Sequence, residues 1–176
     1  APVVVVNHAF TGNSEVAGEK GWWGAAIGDH KVIDTLKYTV IAFNIPGNGY
    51  MGTEADMITN YQHWEAIDVA RIFNYGLQEH FQLQQIFALV GCSLGGGIAW
   101  EMAALAPELF QHLVIVAADW KATDWIIGNC LLQEQILKNS NNPLHDARLH
   151  AMLCYRTPLS LKMKFERTTH AVSQLY

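Results

Sequence analysis

Ile86-Phe-Ala-Leu-Val-Gly-Cys-Ser-Leu-Gly-Gly96 is the stretch from which the fold of this chain is read. Five apolar residues, Ile86 to Val90, run into Gly91-Cys92-Ser93-Leu94-Gly95. A helix-compatible segment follows, Ile98-Ala-Trp-Glu-Met-Ala-Ala-Leu105. That order is the strand, sharp turn and helix of a nucleophile elbow, in which a serine side chain is presented at the tip of the turn. Gly91 and Gly95 flank Ser93 because a side chain at either place would crowd the turn, and the turn itself is strained. The amide dipoles of the following helix favour developing negative charge at the same spot. A bare Gly-x-Ser-x-Gly is a weak signal; the strand before it and the helix after it make this one specific.

Working outward, Val3 to Asn7 is a continuous β-branched run, the pattern of a strand buried on both faces. Tyr38 to Asn44 is a second strand, ended by Ile45-Pro-Gly-Asn-Gly49. Trp64 to Phe81 carries Ile67, Ala70, Ile72, Phe73 and Leu77 at helical spacing. Ile86 to Val90 is the third strand, and the elbow helix is stopped by Pro107. Leu113 to Ala118 is the fourth strand. Three helical segments without a strand follow: Trp125 to Lys138, Pro143 to Tyr155 and Pro158 to Arg167. The chain thus reads as a parallel α/β sheet over residues 1–122 and a helical segment over 123–176. Ligands of such sheets bind at the carboxyl ends of the strands. The loops beginning at His8 and Asn44 converge there with the elbow, so one crevice gathers three glycine-containing loops.

Bulk properties narrow the function classes. The 176 residues carry a net charge of −5 and no basic run, which argues against nucleic acid and anionic membrane as partners. No stretch approaches the roughly 18 uninterrupted apolar residues of a membrane span. Val3 to Val6 lacks the charged leader of a signal peptide and reads as a strand. Cys92, Cys130 and Cys154 are odd in number and widely spaced, the usage of a reducing compartment, and a cytoplasmic location is expected. Cys92 beside the serine reads as a small side chain packed under the elbow. No HExxH or CxxC pair occurs, so no metal is expected.

Several short motifs in fixed order extend the pattern: His8-Ala-Phe-Thr-Gly-Asn-Ser14, Gly21-Trp-Trp-Gly24, Ile27-Gly28 and Ile33-Asp-Thr35. Asn44, the elbow with Trp100, Ala147-Arg148, Tyr155-Arg156 and Phe165-x-Arg167 continue it. Together they resemble the homoserine O-acetyltransferases, acyltransferases of the α/β-hydrolase fold, over almost the whole chain. The resemblance implies a two-step reaction of methionine biosynthesis in which a serine takes an acetyl group from acetyl-CoA and passes it to the hydroxyl of homoserine. It places the nucleophile at Ser93 and the oxyanion-hole amides at Phe10 and Leu94. It also puts acceptor-binding side chains at Arg148 and Tyr155 and implies a homodimer formed through the lid helices. A guanidinium suits a bidentate grip on a carboxylate, and a spacing of seven keeps Arg148 and Tyr155 on one helical face. No bound cofactor is implied; acetyl-CoA is a substrate.

Departures cluster around the pocket. Cys92, Leu94 and Phe10 stand where the family usually has Gly, Met and Leu, and the loop Gly47-Asn-Gly-Tyr-Met-Gly-Thr-Glu54 departs from the usual Gly-Gly-Cys-x-Gly-Ser-Thr-Gly. In the family the carboxylate and histidine that activate the serine follow the lid. His8 belongs to the oxyanion-loop motif and is expected to be structural, and His30, His63, His80 and His112 fall in loops or polar helix faces. His145, His150 and His170 follow Ser93, with Asp119, Asp124 and Asp146 as carboxylates, but no strand-loop context surrounds them. The chain is therefore expected to be cut at both ends and, if taken alone, to be catalytically crippled and prone to association through open sheet edges. Alternatives that stay open from the sequence are a serine esterase of the same fold and an inactive segment that only binds or dimerises.

Overall fold

The computed structural model describes residues 1–50 and 57–165. Contacts divide the chain into two compact units, Ala1–Lys121 and a second beginning at Ala122.

Strands β1 (Val3–Asn7), β4 (Thr39–Ile41), β5 (Ile86–Cys92) and β6 (Phe110–Val116) form a four-stranded sheet in the order β4-β1-β5-β6. Every pairing is parallel, with Val5 beside Ile41 on one side and Leu89 on the other. The β-branched run of β1 lies at the middle of this sheet, and four of its five residues are buried. Chain order reverses direction at β1: β4 is added on one side and β5 on the other. The carboxyl ends of β1 and β5 therefore form the crevice where such sheets bind ligands.

Each sheet face has its own core. On one face Val5 and Leu89 meet α1 (Ala66–Tyr75) and α2 (Leu94–Leu105) through Ala70, Phe73, Ile98 and Met102. Helix α1 begins with a capping box in which Glu65 and Asp68 satisfy each other's backbone amides. Its buried residues are Val69, Ala70, Phe73 and Asn74, whereas Ile72 faces solvent, against the sequence expectation. The helical pattern does not continue regularly to Phe81, because Gly76–His80 is a π-helical turn. On the other face Val4, Val6, Ala88 and Val90 are covered by the irregular segment after β1, including Val16 and Ile27. That segment contains two short strands the sequence pattern did not show, β2 (Ile27–Gly28) and β3 (Ile33–Asp34), paired in parallel. Two residues are too few to display a period. Trp22 and Trp23, adjacent in sequence, both pack against this second core with their rings 4.5 Å apart.

The second unit contains α3 (Asp124–Asn139), α4 (Pro143–Cys154) and α5 (Pro158–Phe165). Thr123 caps α3 by accepting a bond from the Ile126 amide, and Gln133 Nε2 donates to the Ala147 carbonyl, joining α3 to α4. Residues 166 and 167 of the third expected helix lie outside the described residues.

Candidate active site

Ser93 stands between β5 and α2 with φ 52° and ψ −120°, a conformation that costs a non-glycine residue about 1–3 kcal/mol and survives only where its surroundings enforce it. The surroundings do so. The Ser93 amide donates to the Val116 carbonyl at 2.9 Å, and the Ser93 carbonyl accepts from the Gly96 and Gly97 amides at 2.8 and 3.1 Å. A Cβ at Gly91 would lie 2.3 Å from the Gly95 carbonyl oxygen, and one at Gly95 would lie 2.4 Å from the Asn7 and His8 carbonyl oxygens. Both flanking glycines are thus required by close backbone approach. A third contact was not legible: a Cβ at Gly96 would meet that of Ala118, beyond β6, at 2.6 Å.

The Gly95 contact seats the elbow directly on the end of β1. Asn7, fully buried there, reaches across with Nδ2 to the Met102 sulfur at 3.2 Å and the Gly95 carbonyl at 3.4 Å. The chain then enters the loop His8 to Ser14, closed on itself by the Gly12 amide bonding the Ala9 carbonyl at 2.8 Å. Two further bonds tie this loop to the one after β4. The Ile45 amide donates to His8 Nε2 at 3.1 Å, and the Ser14 amide donates to Asn44 Oδ1 at 2.7 Å. Asn44 therefore makes a long-range bond, across 30 positions of chain. Trp22 Nε1 donates to the Asn13 carbonyl at 2.9 Å and holds the same loop from the other side.

Three loops and one helix start consequently share the carboxyl end of the sheet. Ser93 and Leu94 are exposed there, as is Phe10. The Leu94 amide is the first of α2, at the helix end whose N–H groups and dipole favour negative charge. Among the described residues, neither the Phe10 nor the Leu94 amide is paired with a backbone carbonyl. Cys92 is half-buried, and burial pushes its thiol pKa up, away from nucleophilic character. His8 is buried and its pKa is lowered by that burial. A groove of about 600 Å³ lined by Gly18, Glu19, Asp29, Lys31 and Thr35 contains none of the elbow residues and belongs to the segment around β2 and β3.

Arg148 and Tyr155 belong to the second unit. Arg148 is exposed on α4, and Tyr155 is the C-cap of that helix, with φ −84° and ψ −6°, and is largely exposed. Helical backbone at the cap keeps the two on one side of α4. On the same helix His145 Nδ1 meets Asp146 Oδ1 at 3.0 Å, and the bonds from Ser140 and His145 hold the Asp146 carboxyl below its usual range. His150 Nε2 lies 3.8 Å from the Cys154 sulfur. Asp119 accepts from the Trp120 amide and Asp124 opens α3. His170 lies outside the described residues. Among the described residues the Ser93 side chain makes no cap bond to α2, and no group of three or more His, Cys, Asp or Glu side chains is placed to hold a metal.

A parallel sheet reversing at β1, with a strained serine between strand and helix at the reversal, is the arrangement of a serine-dependent α/β hydrolase fold. The family model described as the alpha/beta hydrolase fold matches residues 2–146, and the chain belongs to that family. Within it the chain is similar to the homoserine O-acetyltransferase of Cyclobacterium marinum, 29% identical over 184 residues that cover 90% of this chain and 50% of that protein. Among solved structures, the homoserine O-acetyltransferase from Staphylococcus aureus superposes with a TM-score of 0.76 at 24% identity, over 99% of this chain and 54% of that one. The acetyl esterase MekB gives a TM-score of 0.76 at 16% identity, over 96% of this chain and 51% of that one. The chain spans about half the length of the curated relatives it matches. No helix among the described residues is long and apolar enough to cross a membrane.

Proposed function

We propose that Ser93 is the nucleophile of an acyl transfer from acetyl-CoA to the hydroxyl of homoserine. The observation that carries this is the elbow itself: an exposed serine in a strained turn, packed against the loop after β1, in a chain whose curated relatives are named homoserine O-acetyltransferases. In the first step Ser93 Oγ bonds to the thioester carbon, and the negative charge that develops on the carbonyl oxygen is met by the Phe10 and Leu94 amides. The carbon–sulfur bond breaks, the serine proton ends on the departing thiol, and an acetyl-serine remains. In the second step the acceptor hydroxyl bonds to the acetyl carbon, its proton returns to Ser93, and the ester leaves. A histidine base with an orienting carboxylate is required for both proton transfers; the family resemblance puts them after the helical segment. The family resemblance also gives Arg148 the role of gripping the acceptor carboxylate and makes Tyr155 a second acceptor contact. The same resemblance brings a cytoplasmic setting in methionine biosynthesis and a homodimer built through the apolar residues of α3.

The test is acyl partitioning. Incubation with acetyl-CoA should leave an acetyl group on Ser93, found by peptide mass spectrometry and absent from Ser93→Ala. Added homoserine should then divert the acetyl group from water. Transfer no faster than hydrolysis at saturating homoserine replaces the reading with that of an esterase, and no adduct at all overturns it.

A further inference from the structure

We infer that His8 is a positioning residue that aims the Phe10 amide of the oxyanion site. The inference rests on the reading of Ser93 as an acylated nucleophile, but its geometry lies in the loops after β1 and β4. His8 is fully buried, and both of its ring nitrogens are engaged. Nδ1 lies 2.7 Å from the Ala9 carbonyl oxygen, which only accepts, so Nδ1 carries the proton. Nε2 lies 3.1 Å from the Ile45 amide, which only donates, so Nε2 presents its lone pair. The two partners fix one neutral tautomer and leave no nitrogen for proton transfer with a substrate.

The consequence lies in the peptide unit that His8 grips. The Ala9 carbonyl and the Phe10 amide belong to one planar group, and no peptide bond in the described chain is cis. They point in opposite directions. The Ala9 carbonyl is held from one side by two donors, His8 Nδ1–H and the Gly12 amide at 2.8 Å. The Phe10 N–H is thereby driven to the other side, and rotation of the peptide plane would break both bonds. Donation to the carbonyl also polarises the same peptide, strengthening its N–H as a donor. Anchoring through Ile45 carries the restraint to the loop after β4, so the amide is held by two segments of chain and not by local geometry alone.

Two conservative variants separate this role from general packing. The Asn amide in His8→Asn places an N–H near the Nδ1 position and keeps the bond to Ala9. The Gln carbonyl in His8→Gln reaches the Nε2 position, keeps the bond from Ile45 and loses the donor to Ala9. In amide NMR spectra the Phe10 resonance should stay close to that of the parent in His8→Asn and shift or broaden by exchange in His8→Gln. Stopped-flow acylation by p-nitrophenyl acetate, with Ser93→Ala as the blank, should fall about 10- to 100-fold in His8→Gln, short of the roughly 100- to 1,000-fold lost when an oxyanion donor is removed outright, with KM little changed. His8→Asn should stay within about threefold of the parent protein, the acylation rate following the retained donor bond. Equal Phe10 spectra, or equal losses in the two variants, overturn the assignment. A parent protein with no Ser93-dependent acylation refutes the reading of Ser93, while the Phe10 resonance still decides the role of His8.

Discussion

Helix α2 buries Gly95, Gly96, Ile98, Ala99 and Met102, whereas α3, about one turn longer, buries none of its residues. Both are rich in apolar side chains. In α2 they have somewhere to go: one side meets the sheet, another meets α1, and the Asn74 amide bonds the Met102 carbonyl across that contact. In α3, Trp125, Ile126, Ile127, Leu131, Leu132 and Leu137 are spread around the helix and all are exposed. Six apolar residues without a common face cannot be buried by a single neighbour, and α3 rests instead on its Thr123 cap and its contact with α4. Apolar content therefore does not measure how firmly a helix is held. Direction and a facing surface do.

The sharpest way to break this comparison is to remove comparable bulk from each unit. Phe73→Ala empties a site under α2 that is closed by Phe43, and should cost about 3–5 kcal/mol in denaturant unfolding. Leu131→Ala, on the exposed surface of α3, should stay within about 0.5 kcal/mol. Glycine substitution offers a second contrast. Gly95→Ala forces a Cβ onto two backbone carbonyls and should cost about 3 kcal/mol together with the elbow geometry. Gly128→Ala meets nothing within 4 Å and should raise the helicity and stability of α3 by about 0.5–1 kcal/mol, read by circular dichroism. Thr123→Ala removes the α3 cap, and about 1 kcal/mol of protection should be lost in hydrogen exchange of its first turn, with the sheet amides unaffected.

The smallest effect concerns pH. The Asp34 carboxylate accepts from the His30 and Leu36 amides and meets Lys37 at 3.3 Å, with the His30 bond the chief cause of its lowered pKa. A lowered pKa in the folded state means that the unfolded chain binds the proton more readily. The stabilisation is complete above the ordinary carboxylate pKa of about 3.9 and is lost as pH falls through the folded value. Unfolding measured from pH 6 downward should therefore show a stability decline below about pH 4. Asp34→Asn should reduce that slope without altering hydrogen exchange in α3.

The same division governs what could be read in advance. β1, β5 and the elbow were visible because a strand buried on both faces is a continuous apolar run, and because glycines must stand wherever backbone crosses backbone at close range. The helical segment was also visible, through its prolines and its lack of strands. The partners of that local grammar were not. Ile72 shares the apolar character of Phe73 but turns to solvent. Trp22 and Trp23 are adjacent yet enter one core, because the chain around them is a turn with neither helical nor strand period.

At the candidate site the division is plainest. Residue type and order along the chain were enough to mark Ser93, its two glycines and the loop from His8, since each follows from short-range sterics that any chain must obey. That Gly95 leans on Asn7, that Asn44 takes the Ser14 amide, and that His8 accepts from the Ile45 amide follow from segments brought together across the sheet. Such contacts join residues from about 30 to 90 positions apart, and no local spacing encodes them. Folding supplies them by burying β1 between β4 and β5, which brings the loops that follow these strands to one end of the sheet.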